Sequence, residues 1–217
     1  MSGIRARQKQ ATQDRVLHAA RNLFLTRPYE DVGVRDIAAE ANVATGTVIG
    51  AFGSKGDLLN TIIIDDILAQ YELIKVAVVG RQTVLERLMA IGMTCVNYQA
   101  RQLPLLRTSM AHAWVRSDAA ERQVRQAVQP ILAFVREELS TAQFLGDIRA
   151  DAPLPVVVEM LIDVLVQCYR RMAYDRLTPE LVSDELRTRI EVLLAGVASD
   201  SSSLTNPMVA RIHPAAA

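Results

Sequence analysis

Residues 32–59 read VGVRDIAAEANVATGTVIGAFGSKGDLL, and this segment contains two short helical patterns separated by a tight turn. The first pattern predicts a helix over 34–41. Asn42 follows it, and asparagine tolerates the left-handed backbone conformation in which many helices end. After a turn at Val43, the second pattern predicts a helix over 45–52. Two short helices joined by a turn of three or four residues are typical of a helix-turn-helix.

The flanking sequence extends this segment by one helix on each side. Before it, apolar residues recur with helical spacing and predict an amphipathic helix over 12–25. After it, Gly53 interrupts the pattern, and Ser54 with Asp57 three positions later is typical of a helix start. The helix that follows is predicted over 55–79.

The composition favours helices throughout the chain. Half of the 217 residues are apolar but only 5% are aromatic, and glycine and proline number only 10 and 8. Long helices require few such helix breakers. We therefore expect an all-α protein of one or two domains.

The sequence indicates neither a secretion signal nor a membrane partner. The first ten residues lack the apolar stretch of a signal peptide. The most apolar run, over 155–166, contains Glu159 and Asp163 and is shorter than the ~20 residues that cross a bilayer. We therefore expect a cytoplasmic protein.

Charge is balanced over the whole chain but not along it. The 24 lysines and arginines offset the 24 aspartates and glutamates, so net charge by itself indicates no polyanionic partner. Within residues 1–27, however, six cationic side chains accompany one carboxylate, that of Asp14. Such a basic amino-terminal segment predicts contact with nucleic acid or acidic lipid. Charge alone leaves open a solvated, disordered tail.

The remainder of the chain predicts five further helices. They are expected over 83–102, 105–115, 118–144, 154–174 and 179–197. Asp118 and Glu121 resemble a capping box for the third, which Pro130 should kink or split. The last two have apolar stripes, on two sides in one case, so the pair could cover its own domain and a second copy.

Residues 32–59 resemble the DNA-binding motif of the TetR family of bacterial transcription regulators. The family pattern has R-D-I-A in the first helix, valine at the end of the turn, G-T in the second helix, then F-x-S-K and an acidic residue before two leucines. This chain matches it at Arg35, Asp36, Ile37, Ala38, Val43, Gly46, Thr47, Phe52, Ser54, Lys55, Asp57, Leu58 and Leu59. The carboxy-terminal part resembles the family only in helix count, a G-x-x-R-x-D loop over 146–151 and the final helix pair.

The resemblance implies an all-α homodimer that binds a double-stranded DNA operator. When bound to DNA, the protein would be associated with the bacterial nucleoid. The resemblance also implies a three-helix helix-turn-helix DNA-binding domain and a larger helical domain for effector binding and dimerisation. The expected divisions are a basic flexible arm over 1–10, the DNA-binding domain over 11–53, the larger domain over 54–198 and a disordered tail over 199–217.

The residues expected to contact DNA lie in the arm and around the second short helix, the recognition helix. A recognition helix presents its first residues to base edges in the major groove. Lys55 at the next helix start can hold a phosphate, and the basic arm can reach an adjacent groove. The candidate DNA-binding residues are Arg5, Arg7, Arg35, Thr45, Gly46, Thr47, Ile49, Gly50 and Lys55.

Several residues depart from the family pattern. Ala44 replaces the usual serine and cannot cap the recognition helix, which costs about 1 kcal/mol. Ile49 replaces a tyrosine that commonly touches phosphate, and Gly50 and Ala51 replace larger polar or basic residues. This surface offers no arginine or lysine for bidentate guanine recognition, but Ile49 could contact thymine methyl groups.

The larger domain is expected to bind a small apolar or aromatic effector. Thioethers and aromatic rings suit such a ligand, although simple core packing is the more common role of each such residue. The candidate ligand-binding residues are Met89, Met93, Tyr98, Met110, Trp114, Phe134 and Tyr169. The candidate dimer-interface residues, on the last two helices, are Leu161, Leu165, Leu186, Ile190 and Leu193.

The motifs expected of an enzyme or a metal site are missing from the sequence. The three histidines and two cysteines have no metal-ligand spacing, and no nucleophile elbow or phosphate-binding loop occurs. We therefore expect no catalytic residues, no metal and no cofactor. The expected function is a ligand-released repressor. The alternative is a TetR-like helical dimer that binds a ligand or protein and has weak or lost operator binding.

Overall fold

The computed structural model of the chain describes residues 2–199. Within this range the regular structure is helical, with one isolated antiparallel bridge between Ile148 and Ala198. The predicted all-α class is confirmed. The α-helices in chain order are α1 (Ser2–Thr26), α2 (Val34–Glu40), α3 (Thr45–Phe52), α4 (Lys55–Ala77), α5 (Val84–Ala100), α6 (Leu103–His112), α7 (Asp118–Phe144), α8 (Leu154–Asp175) and α9 (Pro179–Ala195).

The helix-turn-helix forms where the local sequence signals predict it. Helix α3 has the predicted bounds, and α2 ends one residue earlier than expected. Between them Asn42 adopts a left-handed conformation with φ of 52°, and the amide of Val43 donates to the carbonyl of Ala38 at 2.9 Å. Gly53 ends α3 with φ of 80°, a value that a residue with a side chain rarely adopts.

Helix α1 is longer than predicted because it begins at Ser2 rather than near Thr12. The basic segment expected to be a flexible arm is therefore helical over residues 2–10. Its run of arginine, glutamine, lysine and alanine has high helix propensity, although it lacks the apolar periodicity on which the prediction depended. The part of the predicted tail over 200–217 lies outside the described residues.

Helix α7 continues through Pro130 without being split. Ser117, the residue before the first residue of α7, takes the capping position. Its hydroxyl accepts a hydrogen bond from the amide of Ala120 at 3.3 Å. The predicted capping carboxylate, Glu121, instead accepts hydrogen bonds from Arg116 and Arg125, both at 2.7 Å. The capping-box prediction for this helix is therefore wrong, because two arginines compete for that carboxylate.

The described chain forms two compact units that differ from the predicted division near residue 53. Unit 1 contains the chain up to Ala69 together with Arg101–Val128, and unit 2 contains Gln70–Ala100 together with the chain from Gln129. Helix α6 therefore belongs with the helix-turn-helix. Its Leu105 is buried in the same core as Phe24, Ile37 and Val48.

A buried polar network also binds α1, α4 and the start of α6 together within unit 1. The Arg21 guanidinium donates to both carboxylate oxygens of Asp66, at 2.6 and 3.2 Å, and to the side-chain oxygen of Gln102 at 3.0 Å. Gln102 in turn donates to Asp66 at 2.9 Å. Because both buried groups have partners, the network avoids the cost of an unpaired buried charge.

Unit 2 is built mainly from α5, α8 and α9, with the later part of α7. Helices α5 and α9 approach closely at Gly92, where an added Cβ would lie 2.8 Å from a methyl group of Leu186. Arg87 on α5 forms a two-pronged ion pair with Glu138 on α7. None of the helices within residues 2–199 combines the length and apolar character needed to cross a membrane.

The G-x-x-R-x-D loop has a structural role in unit 2. Gly146 ends the turn after α7 with φ of 86°. The guanidinium of Arg149 then donates to the carbonyl of Gly196 at 2.7 Å, and the Arg149 amide donates to the carbonyl of Val197 at 2.9 Å. This loop therefore fastens the end of α9 beside the end of α7.

Candidate functional site

Helix α3 exposes one continuous face of small side chains in unit 1. Gly46, Thr47, Ile49 and Gly50 are exposed, whereas Val48 points into the core. Burial of one apolar residue fixes the rotation of so short a helix. The residues predicted to meet DNA are therefore presented outward together, and Thr45 is half-buried at the start of the helix.

The amino ends of α2 and α3 are stabilised unequally. At α2 the Asp36 carboxylate accepts the amide of Gly33 at 2.7 Å, which ties the helix start to the preceding residue. At α3 the capping residue Ala44 has extended backbone angles but forms no side-chain hydrogen bond. The expected absence of a side-chain cap on the recognition helix is thus observed. Arg35 is exposed on the first turn of α2.

Lys55 is already partly engaged within unit 1. Its ammonium donates to the carbonyl of Tyr29 at 2.8 Å and lies 4.1 Å from the centre of the Tyr29 ring. An ammonium has three donors, so a phosphate contact remains stereochemically available. The neighbouring helix start is capped as predicted, because the Ser54 hydroxyl accepts the Asp57 amide at 3.1 Å.

The basic residues of the amino-terminal segment fall into two groups. Arg5, Arg7 and Lys9 are exposed on the first turns of α1. Arg21 is used by the buried network, and Arg27 donates to the carbonyl of Asp31 at 2.6 Å. Arg15 is also exposed, and its guanidinium donates to the Thr12 hydroxyl at 3.5 Å. The cationic side chains of the segment that are placed for an external partner are therefore those of Arg5, Arg7, Lys9 and Arg15. Sequence charge alone does not identify Arg21 as an internal residue, because its partners Asp66 and Gln102 are distant in sequence.

Unit 2 contains an apolar cavity of about 70 Å³ between α5, α7, α8 and α9. Its walls are aliphatic, apart from Gly92 and the thiol-bearing Cys95. Preformed sites for drug-sized ligands have volumes of about 300–1,000 Å³, so this cavity is closed to such a ligand in the present conformation. The lining residues are Leu88, Ile91, Gly92, Cys95, Ile131, Leu132, Val135, Val158, Leu161, Ile162, Leu165, Leu186 and Ile190.

Residues 16–62 match the family model described as bacterial regulatory proteins, tetR family. The match contains α2, the turn and α3. The amino-terminal part of this chain is a TetR-family helix-turn-helix domain. The resemblance inferred from residues 32–59 is thereby confirmed. No curated protein matches the chain.

Solved structures of bacterial regulators, among them the TetR-family transcriptional regulator PfmR, share the fold of this chain at low sequence identity. FadR from Bacillus subtilis, solved in complex with stearoyl-CoA, has a TM-score of 0.72 at 16% identity over 84% of this chain and 98% of that chain. The fatty acid degradation regulator FadR from Bacillus halodurans has a TM-score of 0.69 at 18% identity over 85% and 98%. PfmR from Thermus thermophilus has a TM-score of 0.63 at 17% identity over 83% and 97%.

The seven predicted ligand-binding residues are divided between the two units. Met110 and Trp114 belong to unit 1, and the Trp114 side chain is 90% exposed. Met89 is buried, while Met93, Tyr98, Phe134 and Tyr169 are half-buried in unit 2, and none of the seven lines the aliphatic cavity. Residue type suggested these positions, but several have ordinary packing roles: Phe134, for example, meets the Tyr71 ring edge-on.

The predicted dimer-interface residues mostly face the interior of unit 2. Leu186 and Ile190 are each only 2% exposed. Together with Leu161 and Leu165 they line the cavity, and Leu193 is half-buried. Leu186 and Ile190 are therefore used within unit 2 rather than offered to a second copy, whereas a dimer contact of Leu161, Leu165 and Leu193 stays a prediction. The outward apolar residues of this helix pair are Val156, Met160, Val166, Tyr174, Leu181 and Val192.

Proposed function

We propose that this chain is a dimeric, ligand-released transcriptional repressor that binds a pseudo-palindromic DNA operator. The observation that carries the proposal is the outward face of α3, held by the α2 turn within a TetR-family domain. An exposed second helix of a helix-turn-helix enters the major groove, and a two-fold dimer presents two such helices to two half-sites. Arg5, Arg7 and Lys9 would add phosphate or groove contacts.

The dimer would form through the outward side of α8 and α9. Their exposed apolar residues include Met160 and Val166 on α8 and Leu181 and Val192 on α9. Exposed apolar surface of this kind is stabilised when a second protein surface covers it. A second copy is the occupant that a two-fold operator requires.

The effector would bind in the aliphatic cavity of unit 2. Since its walls are formed by leucine, isoleucine and valine side chains, the favoured ligand is an aliphatic chain rather than an aromatic ring. FadR from Bacillus subtilis was solved with stearoyl-CoA, and an acyl chain suits this lining. Because the cavity is small, a bound chain must displace its walls, so ligand and operator would favour different conformations. We expect the spacing of the two recognition helices to change, with a coupling of about 1–3 kcal/mol.

The operator hypothesis is tested by selecting bound duplexes from a randomised DNA pool at near-physiological salt. Recovery of a pseudo-palindrome supports a dimeric regulator, and the half-site spacing reports the distance between recognition helices. No enrichment by folded, dimeric protein, before and after removal of copurified ligand, overturns it. That result would favour the second candidate, a helical dimer without operator binding, which the small side chains of α3 suggest.

The effector site is tested on the recovered operator with stearoyl-CoA as the probe. Ile131→Phe adds bulk to the cavity wall, whereas Ala133→Phe adds the same ring at an exposed position of α7. We expect stearoyl-CoA to release the wild type and the Ala133 variant from DNA, and the Ile131 variant to respond at higher concentration. Equal responses of the two variants would exclude this cavity as the site.

A further inference from the structure

The exposed face of α3 has an uneven profile. With 3.6 residues per turn, Gly46 and Gly50 lie one turn apart in the middle of the face, Ile49 borders them on one side and Thr47 on the other. The middle of the face therefore consists of backbone. The Ile49 side chain, which is 52% exposed, is the largest group on this surface.

Nothing in the described fold requires glycine at the two central positions. Neither residue has a positive φ, and apart from the adjacent residues and the backbone of α3 itself, no described atom lies within 4 Å of the Cβ that an alanine would add. Glycine destabilises a helix interior relative to alanine. The benefit of two glycines on one turn must therefore come from something that approaches the helix from outside.

The chemistry of this face restricts what it can recognise. Residues 45–52 contain no Arg, Lys, Asn or Gln, so α3 lacks the side chains that form paired hydrogen bonds with guanine or adenine. The apolar feature of the major groove is the 5-methyl group of thymine. A half-exposed isoleucine beside a flat glycine surface suits that group.

On the basis of the proposed function, we propose that Ile49 is the specificity-determining side chain of α3 and selects thymine by contact with its 5-methyl group. Gly46 and Gly50 allow the helix backbone to lie close to the base edges, which brings Ile49 within van der Waals reach. The operator half-site is therefore rich in thymine opposite α3, and guanine is not read by this helix.

The test replaces thymines of the recovered operator, one at a time, with deoxyuridine, which lacks only the methyl group. Replacement of a thymine whose methyl group contacts Ile49 should weaken wild-type binding about threefold to fivefold, which is the effect of losing one buried methyl group. Replacements outside the half-sites serve as the control and should leave the affinity unchanged.

The same series is then measured with two protein variants. Ile49→Ala should bind the thymine operator more weakly and lose the difference between thymine and deoxyuridine, because the two changes remove the same contact. Leu68→Ala removes a similarly exposed apolar side chain from α4 and should keep the wild-type difference. A full thymine preference in the Ile49 variant would overturn the assignment of that residue.

The role of the glycines is tested with Gly50→Ala, for which we expect a higher melting temperature but a lower operator affinity. Alanine should raise the melting temperature by about 2–4 °C through its helix propensity, while operator affinity should fall at least tenfold because the added methyl group separates the helix from the bases. Unchanged affinity would overturn close approach. Wild-type protein that binds an operator without discriminating deoxyuridine overturns the inference alone, whereas failure to bind any duplex overturns the proposed function as well.

Discussion

Ala44 leaves helix α3 without the hydrogen bond that a capping side chain would accept at the start of the helix. It occupies the capping position of α3 with φ and ψ of −70° and 145°, the extended conformation that a capping residue uses. Only the side-chain oxygen is missing. The Thr47 amide donates to the Ala44 carbonyl at 2.9 Å, so the amides of Thr45 and Gly46 are the ones that rely on solvent or on a bound partner.

Supplying that oxygen should stabilise the protein. We expect Ala44→Thr to raise the free energy of unfolding by about 1 kcal/mol relative to Ala44→Val, since the two variants have the same shape and differ by the hydroxyl group. Urea denaturation of both variants measures the difference. Equal midpoints with equal slopes would show that α3 gains nothing from a cap.

The two cysteines should be inert in the folded protein. Cys95 shares a hydrogen bond with Tyr169, and burial raises the pKa of its thiol to about 11. Cys168 is fully buried and its pKa is also raised, again mainly by burial. At pH 8 about a thousandth of Cys95 is then thiolate, the form that reacts.

A chromogenic disulfide reagent should titrate neither thiol in native protein and both in urea. Rapid modification of native protein at one thiol would contradict the described burial.

The same raised pKa gives stability a pH dependence with a defined sign. The unfolded thiol, with an ordinary pKa of 9.0, ionises before the folded one. Stability contributed by the protonated Cys95 is therefore present below pH 9.0 and is lost as the pH rises towards about 11. A Cys95→Ala variant, compared by urea denaturation, should lose less stability over that range than the wild type.

At the scale of helices, α7 tolerates a residue that ordinarily ends one. Pro130 lies inside its 27 residues, and a proline there leaves the carbonyl four positions earlier without its helical donor. Pro179 instead lies in the first turn of α9, where the missing donor has no cost. Pro179 therefore serves as the control position for a substitution of Pro130.

Replacing them should have different effects. Pro130→Ala restores a helical hydrogen bond and should raise the free energy of unfolding by about 1–3 kcal/mol. Pro179→Ala should leave it unchanged or lower it slightly. Denaturant unfolding of both variants checks the contrast, and a destabilising Pro130→Ala would mean that the surroundings of α7 are shaped to the proline ring.

At the scale of the whole molecule, the outward apolar residues of α8 and α9 predict a self-association surface. Met160→Glu places a charge in that surface, and Leu73→Glu places one at a comparably exposed position of α4. We expect the first variant alone to shift the protein towards monomer in sedimentation equilibrium, because burying an unpaired carboxylate is costly. The operator affinity of the Met160→Glu variant should also fall, since a monomer can bind only one half-site at a time. A Met160→Glu protein that remains dimeric would place the dimer interface elsewhere.

The helix-turn-helix was predictable because its determinants are local. Asn42, Gly53 and the Ser54–Asp57 pair set the boundaries of α2, α3 and α4 through their own backbone angles or through partners at most three residues away. Helix α1 is the exception, since its first turns follow propensity rather than apolar periodicity.

The sequence by itself determined the all-α class, the helix-turn-helix and the residues that α3 exposes, because short-range periodicity and turn residues specify these features. Only the tertiary structure decided which apolar face meets the protein interior. Leu186 and Ile190 have the spacing of an interface, yet the close approach of α9 to Gly92 on α5 turns them inward to line a cavity. Periodicity gives the angle of an apolar stripe on a helix but not the identity of its partner, which depends on residues that are distant in the chain.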